Sequence, residues 1–156
     1  MIGTKVRGGE KAHERLARMM DAVKLAGEHE VRVGVPDGKN EPGTGTPLSL
    51  VAAAHEFGVP GRIPERPFLR PGLLSKKEDL KTINEANFKQ VVNEKMSVAD
   101  ALASIGIFAA ASVQHFIRNG SFQPLDPRTI ERKGSTKPLI DTGNLIQSIT
   151  SEVRSK

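Results

Sequence analysis

The sequence predicts an α+β fold: a small antiparallel sheet packed with about four helices around a long central one. Three observations predict it. Residues 97–118 keep an apolar face at spacings of three and four over their whole length. Two short segments, near 31–35 and 148–154, instead alternate side to side, which is the periodicity of a half-buried strand. Glycine and proline clusters separate the periodic segments. At 156 residues the chain suits one domain spanning 1–156, large enough for a real core. A flexible arm over 1–9 and an exposed loop over 37–46 are expected at its margins.

Taken in order, Met1 to Gly9 is polar and glycine-bearing and reads as an arm or a short edge strand, with basic residues at Lys5 and Arg7. From Glu10 the pattern turns helical, with Ala12, Leu16, Met19, Met20 and Val23 on one apolar face. Glu10 at the start and Lys24 at the end suit the helix dipole, and Gly27 is a stop. Val31, Val33 and Val35 alternate with Arg32 and Gly34 as a strand with its valines inward, closed by Pro36-Asp37-Gly38. The Gly/Pro/Thr run from Lys39 to Thr46 reads as an exposed, mobile loop. A helix begins at Pro47, carries Leu48, Val51, Ala52, His55 and Glu56, and ends at Gly58.

A strap follows. Pro60, Pro64, Pro67 and Pro71 fix φ in quick succession and bias their predecessors toward extended backbone, so this segment has little freedom to lose. From Gly72 to about Lys95 one long helix is expected, with Leu73, Leu80, Ile83, Phe88, Val91 and Val92 as an imperfect stripe. The central helix starts at Ser97 as its cap, with Asp100 completing a variant capping box, and stops at Gly120. Its face is Val98, Leu102, Ile105, Ala109, Val113 and Phe116, and Ala101, Gly106, Ala110 and Ala111 permit close helix contact. A short helix over Pro127–Lys133, a loop over Gly134–Pro138 and a helical turn carrying Leu145 and Ile146 lead to the last strand. There Ile149, Ser151 and Val153 alternate and can pair with Val31 to Val35.

Composition removes several functions. No cysteine is present, which excludes disulfides, thiolate metal sites and a cysteine nucleophile, and fits a reducing compartment. Aromatic residues are 4%, without Trp or Tyr, which argues against an enzyme pocket or a base-stacking platform. The N-terminus lacks the long apolar core of a signal peptide, and no apolar run reaches the ~18 residues of a membrane span, so no membrane partner is expected. The net charge of +5 permits contact with nucleic acid or acidic protein surfaces, although a solvated basic surface is the favoured account of it.

No catalytic constellation survives inspection. Leu139-Ile140-Asp141-Thr142-Gly143 has the form of an aspartic-protease loop, but it occurs once, and too little chain follows it for a flap; Asp141 reads as a helix cap. His55-Glu56 is half of a zinc-binding helix, with Val59 where the second histidine belongs. Gly43-Thr44-Gly45-Thr46 lacks the Gly-Lys-Ser/Thr of a phosphate loop, and no serine sits in a Gly-x-Ser-x-Gly elbow. No enzyme, cofactor or metal is expected. Arg128, Arg132, Lys133 and Lys137 form a local basic cluster for DNA phosphate or an acidic surface, or simply a solvated face.

The order of three groups of stretches carries a resemblance. They are Val31-Arg32-Val33-Gly34-Val35-Pro36; then Ala53-Ala54-His55-Glu56-Phe57-Gly58 with Ile63-Pro64-Glu65-Arg66-Pro67-Phe68-Leu69-Arg70; then Ile117-Arg118-Asn119-Gly120, Arg132-Lys133-Gly134-Ser135 and Pro138-Leu139-Ile140-Asp141-Thr142-Gly143-Asn144-Leu145. Together they cover about residues 30–150, and the chain resembles the neck and tail-completion proteins of tailed bacteriophages, including the phage virion morphogenesis proteins. The resemblance implies a virion structural protein that forms a homo-oligomeric ring at the head–tail junction. Such proteins complete or terminate the tail and help join it to the head connector. It implies a ring of roughly six or twelve subunits, with other neck, connector and tail-tube proteins as partners and room for non-specific contact with passing DNA. It also implies assembly in the host cytoplasm and residence in the virion. One departure is that little chain follows the last strand, which implies a smaller sheet than in relatives.

Within this reading the strap is an assembly contact. His55, Glu56, Phe57, Arg66, Phe68 and Arg70 are the expected subunit or partner interface, since aromatic and arginine side chains dominate interface energetics. For Phe57 and Phe68 the alternative is the domain's own core. The competing function is a small basic DNA-binding regulator, for which Pro127–Lys133 is the sole candidate recognition helix.

Overall fold

In the computed structural model, residues 9–133 and 136–156 are described, without the side chains of Arg132 and Lys133. Residues 1–8 of the arm expected over 1–9, and Gly134-Ser135 of the loop expected over Gly134–Pro138, lie outside the described residues, while Gly9 opens the first helix. The architecture is α+β: a two-stranded antiparallel sheet packed against a long helix, with shorter helices around it. In chain order the elements are α1 (Gly9–Gly27), β1 (His29–Gly34), α2 (Leu48–Phe57), α3 (Leu69–Leu74), α4 (Lys77–Val92), α5 (Val98–Asn119), α6 (Pro127–Lys133), α7 (Asn144–Ser148) and β2 (Thr150–Ser155).

Helix α5 is the axis of the fold, and its ends are where its caps put them. The Ser97 hydroxyl accepts the Asp100 N–H at 3.0 Å and donates to the Asp100 carboxylate at 2.6 Å. The carboxylate thus turns to the serine side chain rather than to the serine backbone, a variation on the usual capping box. At the far end Gly120 N–H returns to the Phe116 carbonyl at 2.7 Å. Helix α5 has the length and apolarity of a membrane span, with a mean hydropathy of 1.3, contrary to the expectation that no run reaches this length. Its contacts with both strands, α3, α4 and α7 account for that apolarity.

Two glycines set how closely the layers approach. A Cβ on Gly106 would lie 2.6 Å from Ser151 Oγ and 3.1 Å from Val31 Cγ1, so the bare backbone of α5 rests on the sheet. A Cβ on Gly72 would lie 3.0 Å from Val113 Cα, where α3 crosses α5. In the sheet, Val31 lies opposite Val153, with Glu30 opposite Arg154 and Arg32 opposite Glu152. The core gathers Phe68, Ala110, Val113, Ile117, Leu139, Leu145, Ile146 and Ile149, flanked by an edge-to-face pair of Phe116 and Phe122 at 5.7 Å. The final strand begins two residues later than expected. Helix α7 runs through Ser148, and Ile149 turns into the core instead of joining the ladder.

Three expectations need correction. Helix α1 has the expected bounds but buries none of its residues: Leu16, Met20 and Val23 are all more than half exposed. The single helix over 72–95 is two helices. Ser75 ends α3 by returning its N–H to the Pro71 carbonyl at 2.9 Å and its hydroxyl to the Gly72 carbonyl at 2.8 Å. Helix α4 then restarts and lies on α5, where buried Asn87 donates to the Ala101 carbonyl at 3.2 Å. The Lys39–Thr46 loop is exposed but closed by its own backbone: Glu41 N–H meets the Thr46 carbonyl at 2.7 Å and Leu48 N–H the Lys39 carbonyl at 2.8 Å.

Candidate functional site

The strap between α2 and α3 is a folded-back clamp rather than an extended ribbon. Helix α2 ends at Gly58, whose φ of +72° belongs to the left-handed region. A Cβ there would also sit 3.1 Å from Glu65 N, so both conformation and space call for glycine. Pro60-Gly61 then turns the chain, with Gly61 at φ +71° as the second central residue of a type II turn requires. The turn is closed by Val59 N–H to the Ile63 carbonyl at 2.8 Å and by the reciprocal bond at 2.9 Å. Arg66 N–H returns to the His55 carbonyl at 2.8 Å, tying the strap to the helix it left.

At the centre of the clamp is a buried carboxylate. Glu56 is 4% exposed. Its Oε2 accepts the N–H groups of Phe68 at 2.7 Å and Leu69 at 2.8 Å, and its Oε1 accepts Arg70 N–H at 3.2 Å and Arg70 Nε–H at 2.9 Å. The first N–H groups of a helix have no partner within it. Glu56 supplies one for the start of α3 from another element. Burial alone would raise this carboxyl, but the N–H of Leu69, the Arg70 guanidinium and the N–H groups of Phe68 and Arg70 outweigh it and hold it below the ordinary range. Glu56 is therefore ionised at neutral pH.

Arg66 is the second buried ion, 5% exposed. Its Nε donates to the Gln123 carbonyl at 2.8 Å and its Nη2 to the Pro124 carbonyl at 3.0 Å. The guanidinium fork thus pins the segment after α5 to the strap. Burial lowers its pKa from the ordinary arginine value. Between strap and segment lies an open groove of about 930 Å³, lined by Phe57, Val59, Ile63, Arg66 and Leu125 among others.

The six expected interface residues therefore separate. Glu56, Arg66 and Phe68 are buried in the chain's own fold, Phe68 to 2% exposure within the core cluster. They shape the strap from inside; for Glu56 and Arg66 the expectation was a partner contact, whereas for Phe68 the domain's own core was the stated alternative. His55 is half-buried at the end of α2. Phe57 and Arg70 face outward, with the guanidinium 5.3 Å above the Phe57 ring and Arg70 Nη2 3.4 Å from Glu65. Of the basic cluster, Arg128 and Lys137 are exposed, and the side chains of Arg132 and Lys133 lie outside the described residues.

The other candidate motifs hold no chemistry-bearing geometry. The Asp141-Thr142-Gly143 loop precedes α7, whose N-cap is Gly143 at φ +82° without a side-chain cap, so Asp141 is not the cap expected of it. Instead Thr142 Oγ1 receives the Asn144 side chain at 2.5 Å. Among the described residues, no three His, Asp or Glu side chains converge as a metal site. Neither the Glu56 cap nor the Arg66 fork was foreseen, though Glu56 and Arg66 had been singled out. The available signal was an acid thirteen residues before a short helix with no capping side chain of its own.

No protein-family model, curated protein or solved structure matches this chain.

Proposed function

We propose that this chain is a structural protein of tailed-bacteriophage virions. It forms a homo-oligomeric ring at the head–tail junction, completes or terminates the tail, and helps join it to the head connector. The observation that carries this reading is the union of two stretches on which the resemblance rests. His55-Glu56-Phe57-Gly58 and Pro67-Phe68-Leu69-Arg70 form one unit through the Glu56 carboxylate and the backbone of Phe68, Leu69 and Arg70. The unit has a structural task. It holds Phe57 and Arg70 in a single pose on the surface, and a ring repeats that pose in every subunit.

Electron microscopy of the purified protein and of virions tests this. Rings of one rotational symmetry, together with antibody label at the virion neck, are the expected result. A protein that stays monomeric, is missing from virions and shifts duplex DNA with a steep salt dependence overturns the reading in favour of a DNA-binding regulator.

A further inference from the structure

Among the described residues the sheet has two strands, and each keeps an unpaired edge. Lys156 N–H donates to the Glu28 carbonyl at 2.9 Å, which marks 28–156 as a bonded pair. Pairs in an antiparallel ladder alternate between bonded and non-bonded, so Glu30, Arg32, Glu152 and Arg154 bond within the sheet. The backbone groups of His29, Val31 and Val33 then point away from β2, and those of Ser151, Val153 and Ser155 away from β1. Among the described residues, no backbone group bonds to either row. Bare edges of this kind are templates for a further strand.

The side chains say which strand. Both strands carry the same triplet, Glu30-Val31-Arg32 and Glu152-Val153-Arg154. Run antiparallel and centred on valine, two such triplets place each glutamate opposite an arginine. The internal ladder does this with Glu30 against Arg154 and Arg32 against Glu152. Each arginine also reaches the glutamate of its own strand. These charges occupy one face of the sheet, while Val31 and Ser151 meet Gly106 of α5 on the other. An unrelated strand would match this pattern only by carrying the same alternation of charge.

We propose that a second copy of this chain docks here, the open edge of its β1 pairing antiparallel with the open edge of β2. The register repeats the internal one, Val31 opposite Val153, so the outward backbone rows meet as bonded pairs. Every strand then has opposite charges on both neighbours. The head-to-tail direction rests on the ring reading, because it uses both edges of each copy once and permits closure. Two-fold pairing of β1 with β1 also matches Glu30 to Arg32 but leaves β2 bare.

Because the chain has no cysteine, single substitutions report the contact cleanly. Arg32→Cys and Glu152→Cys are made in separate chains, mixed and mildly oxidised. Neither chain can close a disulfide within itself, and a non-bonded antiparallel pair brings Cα atoms to about 4.5 Å, within disulfide reach. The expected result is a covalent dimer in the mixture, about tenfold above either variant alone. Rings that form without this cross-link overturn the edge pairing and leave the ring reading standing. Cross-linking of Arg32→Cys with Glu30→Cys in its place overturns the head-to-tail direction. A protein that never self-associates overturns both readings. As a second test, Val153→Pro deletes an outward N–H that no described backbone group of the chain uses. Unchanged circular dichroism with association weakened about tenfold is expected; unchanged association refutes the proposal.

Discussion

The Glu56 carboxylate accepts the backbone N–H of Phe68 at 2.7 Å, across twelve residues of sequence and the turns set by Pro60, Pro64 and Pro67. The end of α2 and the start of α3 are thereby one structural joint, and its strength can be measured. Glu56→Ala leaves buried N–H groups without an acceptor and is expected to cost about 3 kcal/mol; Glu56→Gln keeps one oxygen and is expected to cost about 1–2 kcal/mol. Urea unfolding should show both as lower midpoints at unchanged slope. A loss below about 0.5 kcal/mol for Glu56→Ala would mean that water replaces the carboxylate without penalty.

The same joint gives a pH dependence of defined sign. The Glu56 carboxyl is held below its ordinary range in the folded chain, so the unfolded chain binds the proton more readily. Its contribution is fully present above about pH 4.3, the ordinary carboxyl value. It is lost as pH falls from there through the lowered folded value. Stability followed from pH 6 down to pH 2 should therefore decline less steeply in Glu56→Gln than in the parent chain. Parallel curves would exclude Glu56 as a source of acid sensitivity.

Two phenylalanines of the strap should respond oppositely. Phe68 is 2% exposed in the core, and Phe68→Ala is expected to cost about 3–5 kcal/mol. Phe57 is 67% exposed, and Phe57→Ala should change stability by no more than about 0.5 kcal/mol. If the outward pose serves assembly, Phe57→Ala protein folds normally yet fails to complete virions in a complementation assay. Normal virion yield would remove Phe57 from the contact surface.

Gly106 admits no side chain. A Cβ there meets Ser151 Oγ at 2.6 Å and Ser151 Cβ at 2.9 Å, so Gly106→Ala forces the sheet off α5 and is expected to cost about 1–3 kcal/mol. Ser151→Gly removes both obstructing atoms and should recover part of that loss in the double variant. Thermal unfolding of the four proteins forms a cycle, and strict additivity would contradict the close approach.

What was legible in the sequence follows from which signals are local. The ends of α5 were readable because Ser97, Asp100 and Gly120 act on their own helix. The strand pairing was readable because Val31 and Val153 each show a two-residue alternation that only a partner satisfies. Local signals misled at α1, where Leu16, Met20 and Val23 form a stripe that nothing among the described residues covers. Periodicity tells that a face is apolar, not what lies on it. The strap's stiffness was legible from its prolines, but its fold-back was not. Glu56 and Arg66 both bind backbone groups distant in sequence, and backbone carries no residue-specific signal to read.

The sheet also orders events during synthesis. Val31 pairs with Val153, so β1 emerges from the ribosome long before its only described strand partner exists. Until β2 follows, β1 lacks its hydrogen-bonded neighbour and the Gly106 surface of α5 lacks its contact with Ser151. Contacts so distant along the chain are slow to form and leave unpaired strand exposed meanwhile. A nascent or truncated chain lacking Thr150–Ser155 leaves β1 without its ladder, and on the proposed ring reading assembly waits until those six residues have closed it.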